Sequence, residues 1–413
     1  MRKTFFHSTL IVHCLLLCVI AQSQVQKIYL HPKATGIEKQ ANFIDSIRFI
    51  PLETVAGVEI GAYNGVEVTD KYFVITHQRE KTILVYTRNG GFIKKISYKK
   101  LGENFYPNYQ EYTNRIVFFG NNNNYSLTPK DELKITLDWS NPRNKKYFKK
   151  YIIDLNDPSF EITKDDPVQN DIIHARPYYG DLYWQGEINT SPLYKDSIGY
   201  EFKIYKKDQF IKGFFPYDRI NETRFLYSEE YVAFTKTDVP RVHYLTRPFC
   251  DTVYKMTGDS LVPVYKLVLP LENTLPASFF TKPFRNKAER ENFERNNGWM
   301  FHQVYNFYET PKFISFSVGY LSNQEAYIYQ KETNATYRIK NIRQDSSQYN
   351  LQLLGGLGTL KKGNRFYKTL KAGDLVAFFE KNKNVAVPKE LESFLKSNPP
   401  EAAPVIVEFK LKN

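Results

Sequence analysis

The chain has 413 residues, a formal charge of +13, 42% hydrophobic and 16% aromatic residues, which excludes a disordered chain and supplies enough apolar side chain for a sizeable core. Cys14 and Cys18 fall in an N-terminal apolar run, so Cys250 stands alone in the remainder and an intramolecular disulfide there is excluded. Beyond that run no stretch approaches the ~20 apolar residues of a membrane helix, and no transmembrane segment is expected.

Taken in chain order, Arg2 and Lys3 precede the apolar run 10–20 and then Ala21, Gln22 and Ser23. A basic start, a short apolar centre and small residues at a cleavage position predict a signal peptide over 1–23 and an exported chain, in the periplasm or at the cell surface. His13 and Leu17, not small residues, precede Cys14 and Cys18, so a lipid anchor is not expected. Removing Arg2 and Lys3 leaves +11, spread along the chain with one denser patch, RNKKYFKK at 143–150. Such a field gathers anions, acidic glycans and phosphates among them, and export argues against a nucleic-acid partner.

From residue 24 the chain reads as one domain, 24–413. KIYL at 27–30 and FIDSIRFIPLET at 43–54 are strand-like, and VEVTDKYFVITH at 66–77 runs into ILVYTRNGGFI. That phrase, alternating apolar residues around a short polar turn, is a β-hairpin, because strand side chains alternate faces while Asn, Asp and Gly tolerate a tight reversal. It recurs as YSLTPKDELKI from Tyr125, FKIYKKDQFI from Phe202, TVYKMTGDSLVPVYKL from Thr252 and AYIYQKETNATYRI from Ala326. Residues 154–171 read as a long connection, partly extended at 160–163. KAERENFERNN at 287–297 and PKELESFLKSN at 388–398 carry helix formers, predicting one or two short insertion helices. PVIVEFKLKN at 404–413 is a strand that needs a partner, which 27–30 or 44–52 would supply. Five hairpins and that composite sheet make six units, about 65 residues each against ~40–45 for a compact blade, leaving long loops. The expected fold is all-β, a six-bladed β-propeller closed by its N- and C-terminal strands.

The leader, IRFIPLET, the run YFVI to GGFIKKI, RPFCDTVYKM and a helix before VIVEFKLK together resemble the six-bladed β-propeller proteins abundant in Bacteroides-type bacteria, themselves similar to NHL-repeat propellers. The resemblance implies fold and compartment. Members carry a Gly- and Pro-rich stretch with Glu-Tyr after the first blade; LGENFYPNYQEY at 101–112 keeps one glycine, one proline and Glu111-Tyr112 but lacks the glycine cluster.

No HxH, HExxH, CxxC or GxSxG motif occurs, so neither a metal nor another cofactor is expected. The carboxylate pairs Asp165-Asp166 and Glu229-Glu230 show no acid/base spacing, and Gly355, Gly356 and Gly358 read as a turn. Loops at one end of a propeller channel form a bowl in which aromatic and basic residues would bind a ligand. The candidates are Arg176, Trp184, Arg247, Trp299 and His302. The expected function is a binding or scaffold module for a glycan, peptide or envelope-protein partner. The alternative is a propeller lyase or hydrolase whose residues converge on the central channel from several blades. The sequence sets no oligomeric state.

Overall fold

A computed structural model of the chain describes residues 25–33, 36–55, 65–101, 107–121, 148–165, 175–188, 198–206, 209–239, 241–355, 360–397, 399–401 and 403–412. An N-terminal strap carries β1 (Gln26–Tyr29), β2 (Glu38–Lys39) and β3 (Ile44–Pro51). Six antiparallel units follow. The first is β4 (Gly65–Val68), β5 (Tyr72–His77), β6 (Thr82–Thr87) and β7 (Phe92–Ser97); the second is β8 (Asn108–Gln110), β9 (Arg115–Asn121), β10 (Phe148–Asp154) and β11 (Ile162–Asp165). The third holds β12 (Arg176–Tyr179), β13 (Leu182–Gln185), β15 (Ile198–Lys206) and β16 (Gln209–Asp218), with β14 (Glu187–Ile188) branching off to pair with β17 (Glu230–Tyr231). The fourth is β18 (Ala233–Lys236), β19 (Val242–Thr246), β20 (Thr252–Thr257) and β21 (Ser260–Val268); the fifth is β22 (Phe301–Glu309), β23 (Phe313–Tyr320), β24 (Gln324–Gln330) and β25 (Ala335–Arg338). After β26 (Ile342–Arg343), the sixth contains β27 (Lys361–Lys362), β28 (Arg365–Lys371) and β29 (Pro404–Leu411), with β3 along its far edge beside β29. The molecule is a six-bladed β-propeller.

The blades pack through their faces. Phe73 and Leu84 of the first meet Tyr367 and Ile406 of the sixth, and Phe118 of the second joins Val85 of the first. Phe202, with no exposed surface, is held between Trp184 and Phe234, joining the third blade to the fourth. Period-two patterning turns such apolar side chains toward the neighbouring blade, and truncating Phe202 to Ala is expected to cost about 3–5 kcal/mol.

Two corrections to the expected fold follow. No described sheet closes on itself: each keeps two edges, so the ring is held by side chains between sheet faces, not by a sealed sheet. Of the two partners expected for the C-terminal strand, 44–52 supplies it, as β3 beside β29, whereas 27–30 does not; β1 adds in parallel to β21 as a fifth strand of the fourth blade. Four short α-helices are present among the described residues, not one or two: α1 (Ala277–Thr281), α2 (Lys287–Asn296), α3 (Ala372–Lys381) and α4 (Lys389–Lys396). Helix α3 escapes a composition reading because AGDLVAFFEK is apolar enough to pass for a strand, and it becomes helical by burying Ala372, Leu375 and Phe379 on one face. The second hairpin phrase, from Tyr125, lies outside the described residues. Its blade is completed instead by 148–165, which the sequence assigns to a basic patch and a connection.

In each blade the first strand occupies one sheet edge, and β4, β8, β12, β18, β22 and β27 therefore line the axis, all running in the same sense. The channel thus has two chemically distinct mouths. One is built from hairpin turns that follow the inner strands. The other is built from the loops that lead into them, where both helix pairs also sit.

Candidate functional site

At the turn mouth, charges reach across the axis and meet each other. Glu111, just past β8, accepts from Lys236 of the fourth blade and Lys362 of the sixth, both at 2.8 Å, and Lys362 also pairs with Asp70 of the first at 3.1 Å. Burial alone would raise the Glu111 carboxyl, but the two lysine hydrogen bonds outweigh it and hold it below the ordinary range. Lys361 donates to the Lys236 carbonyl at 2.8 Å and lies 4.1 Å over the Tyr308 ring, and burial pushes its ammonium down to about 8. Tyr112 donates to His243 Nε2 at 2.5 Å; desolvation pushes that imidazole down to about 4. Glu67 is open to water in the lumen yet walled by protein on most sides, and burial with the Glu111 charge pushes it up to about 7.

The loop mouth is organised otherwise. Glu230 stands on β17, a two-residue strand fixed by pairing with β14 and by the Val232 N–H donating to the Gly186 carbonyl at 2.9 Å. Gly186 is required there, since a Cβ would fall 2.1 Å from Val232 Cγ2. Facing it, at the start of β22, His302 Nε2 lies 2.8 Å from Glu230 Oε2. Ser228 Oγ donates to the other carboxylate oxygen at 2.5 Å, and the Phe249 ring meets the imidazole edge-on at 5.0 Å. Helix α2 supports this arrangement from behind, because its buried Arg290 stacks under Phe249 and donates to the Arg224 carbonyl at 3.0 Å.

A carboxylate only accepts, so Nε2 carries the proton and Nδ1 is left as an acceptor. Tyr305 Oη lies 3.1 Å from that Nδ1 and donates to it. Burial, then the Glu230 charge, pushes the Tyr305 phenol up to about 12, so it keeps its proton at neutral pH. His302 and Tyr305 open into a cavity of about 380 Å³, completed by Asn306, Tyr320, Asn323 and Gln324. A β-bulge between Tyr305 and Tyr308 shapes it, and Asn306 occupies the left-handed region at φ 51. Gly319 forms the back wall: a Cβ there would lie 2.7 Å from Tyr305 Cε2 and push the phenol from its place.

The profile of a family described as a domain of unknown function, DUF4934, matches residues 33–410. The chain belongs to the DUF4934 family. No curated protein matches this DUF4934 chain. Among solved structures it is similar to a Bacteroides fragilis protein described as putatively exported, at 14% identity and TM-score 0.55, over 94% of this chain and 100% of that one. It is also similar to a DUF4221 member from Bacteroides vulgatus (9%, TM-score 0.41, 90% and 98%) and to virginiamycin B lyase from Staphylococcus aureus (9%, 0.28, 71% and 73%). The first bears on the fold; the other two superpose too loosely to support anything. The resemblance to Bacteroides-type propellers is thereby borne out.

In this DUF4934 chain the five candidate residues separate. His302 lines the cavity and Trp299 backs it, its ring 5.3 Å from that of Tyr320. Arg176 and Trp184 face each other across β12 and β13, with the guanidinium 5.5 Å over an indole otherwise packed on Phe202 and Phe234. Arg247 turns inward to the fully buried Glu201 at 2.7 Å, which Arg224 shares at 3.5 Å. Glu230 and Tyr305 carry no sequence signal, since the Glu230 to His302 contact spans 72 residues. Of the Glu229-Glu230 pair, one member, Glu230, meets a histidine from another blade. Among the described residues no group of three His, Cys, Asp or Glu side chains is placed to hold a metal, and no helix is long and apolar enough to cross a membrane.

Proposed function

We propose that this protein is an exported propeller enzyme, a lyase or hydrolase working by acid/base chemistry at the loop mouth of its channel. The observation that carries this reading is the Glu230–His302–Tyr305 relay ending in a cavity. The relay has the order of a carboxylate-oriented imidazole acting on a hydroxyl, with a phenol in the hydroxyl position. A proton leaving substrate or water passes to Tyr305 Oη while the phenolic proton moves to His302 Nδ1, and the imidazolium is held by the Glu230 carboxylate. No free phenolate forms, which is why a phenol that keeps its proton is compatible with the step. Returning the proton to the leaving group completes either an elimination or a hydrolysis. The converging residues favour this alternative over a passive binding module, and the basic leader with its apolar run supports export.

The test is turnover by wild type and Tyr305→Phe on a panel of peptides, esters and oligosaccharides, followed by chromatography of new chain ends and by absorbance of unsaturated products. Wild type is expected to turn over one class, and Tyr305→Phe to lose about 10²–10⁴-fold with an unchanged melting temperature. Ligand binding by wild type with no turnover returns the protein to the binding-module reading.

A further inference from the structure

The net positive charge of the chain suggests an anionic ligand, yet Arg176 at the start of β12 is held over the Trp184 indole, Arg247 is held by Glu201, and the lysines of the inner strands gather at the other mouth. Lys236, Lys361 and Lys362 are all there, engaged with Glu111, Asp70 or backbone oxygen. Among the described residues, the cavity wall has no lysine, arginine, aspartate or glutamate. Glu230 sits behind the imidazole with 7% of its side chain exposed. The wall offers three amides, Asn306, Asn323 and Gln324, and the phenol and ring surface of Tyr305, with the buried Tyr320 beneath. Of these, Asn323 Nδ2 is already spent on the Gly298 carbonyl at 2.9 Å.

We infer that the cavity binds an uncharged saccharide unit, a ring bearing several neighbouring hydroxyls. This rests on the proposed enzymatic reading of the same site and names its substrate class. Side-chain amides present a donor and an acceptor side by side, which matches hydroxyls that both give and take hydrogen bonds. Aromatic surface meets the apolar face of a sugar ring. A carboxylated or phosphorylated ring would bring an uncompensated charge next to Glu230 in a site without a cation, a costly arrangement. A volume near 380 Å³ is at the small end of ligand sites, so one or two rings would be held and the rest of a chain would run out along the mouth. Asn306 is the specific element: the bulge holds it at φ 51, a conformation of the kind that persists where surrounding structure enforces it, and it puts an amide on the wall.

The experiment is isothermal titration of the full chain with cellohexaose, maltohexaose, xylohexaose and mannohexaose, against galacturonate hexamer as the charged arm. Wild type should bind at least one neutral hexasaccharide. Asn306→Gly combined with Gln324→Ala should weaken that binding at least 10-fold; glycine removes the amide without straining the positive φ, so folding is retained. Tighter binding of the galacturonate arm, no binding of any neutral arm by folded wild type, or unaltered binding in the double variant overturns the inference. The two readings fail separately: binding of a neutral arm without turnover sinks the enzyme and keeps the ligand class, whereas turnover of a charged or peptide substrate keeps the enzyme and sinks the ligand class.

Discussion

The two mouths of the channel use similar residue types to opposite ends. At the turn mouth acid and base are paired with one another across blades, Glu111 with Lys236 and Lys362, Tyr308 with Asp238 at 2.6 Å. Glu111, Lys236 and Lys362 satisfy one another, and the result is a stitch that ties the second, fourth and sixth blades. At the loop mouth Tyr305 donates to His302 and His302 to Glu230, which also accepts from Ser228, and the outer end of that chain, at Tyr305, meets empty space. Polar groups matched among themselves hold a fold; polar groups lined up toward a cavity leave capacity for a ligand.

The largest effect expected to sharpen this contrast is at the loop mouth. Tyr305→Phe should remove 10²–10⁴-fold of turnover, about 3–5 kcal/mol of barrier, and Gly319→Ala, which keeps the phenol but displaces it, about 10-fold or more; thermal melts should show both variants folded. Next comes pH. His243 binds a proton less readily when folded, about 4 against 6.5, so its contribution to stability is complete above pH 6.5 and disappears as pH falls toward 4. That loss is on the order of 3 kcal/mol, because the ring is buried against Phe234 away from water and, among the described residues, its Nδ1 has no partner; urea midpoints across this range should slope in wild type and flatten in His243→Gln.

Glu67 works with the opposite sign. Its raised value favours the folded state at pH below 4.5, and that advantage is lost as pH rises through about 7, so Glu67→Gln should melt higher than wild type at pH 8 and equally at pH 4.5. Smaller is Glu111→Gln, about 1–2 kcal/mol of stability, between the worth of surface and fully buried pairs, with turnover unaltered. A loss of turnover at constant melting temperature in that variant would break the comparison. The smallest is Asp70→Asn, below about 0.5 kcal/mol, since that carboxylate is 85% exposed.

The fold was legible in the sequence wherever local pattern specified it. Alternation and turn residues mark β5 to β7, β12 to β16, β19 to β21 and β24 to β25, and α2 announces itself by composition, confirmed by Asn286 accepting from the Glu289 N–H as its N-cap at 2.9 Å. The site was not, because its members lie far apart in the chain and their roles come from topology. His302 drew notice as an isolated histidine, whereas Tyr305 is one tyrosine among 31. Glu111-Tyr112 stood out through the family resemblance, and the structure gives that dipeptide a job: one residue anchors the stitch and the other meets His243. RNKKYFKK read as a charge patch, yet its end belongs to β10, where Lys150 lies 3.9 Å from Asp165.

The strap has a bearing on how the molecule can be held. β1 lies along the rim of the fourth blade, Gln26 donates to Tyr329 Oη and the Tyr29 carbonyl accepts from Thr336, both on the fifth, and buried Gln40 then bonds the backbone of Leu351 and Leu353. Any tether attached ahead of Gln26 would begin at the edge of the fourth blade remote from the inner strand β18. A surface or carrier gripping the chain by that end would leave both openings of the disc facing solvent, free for long polymers to approach.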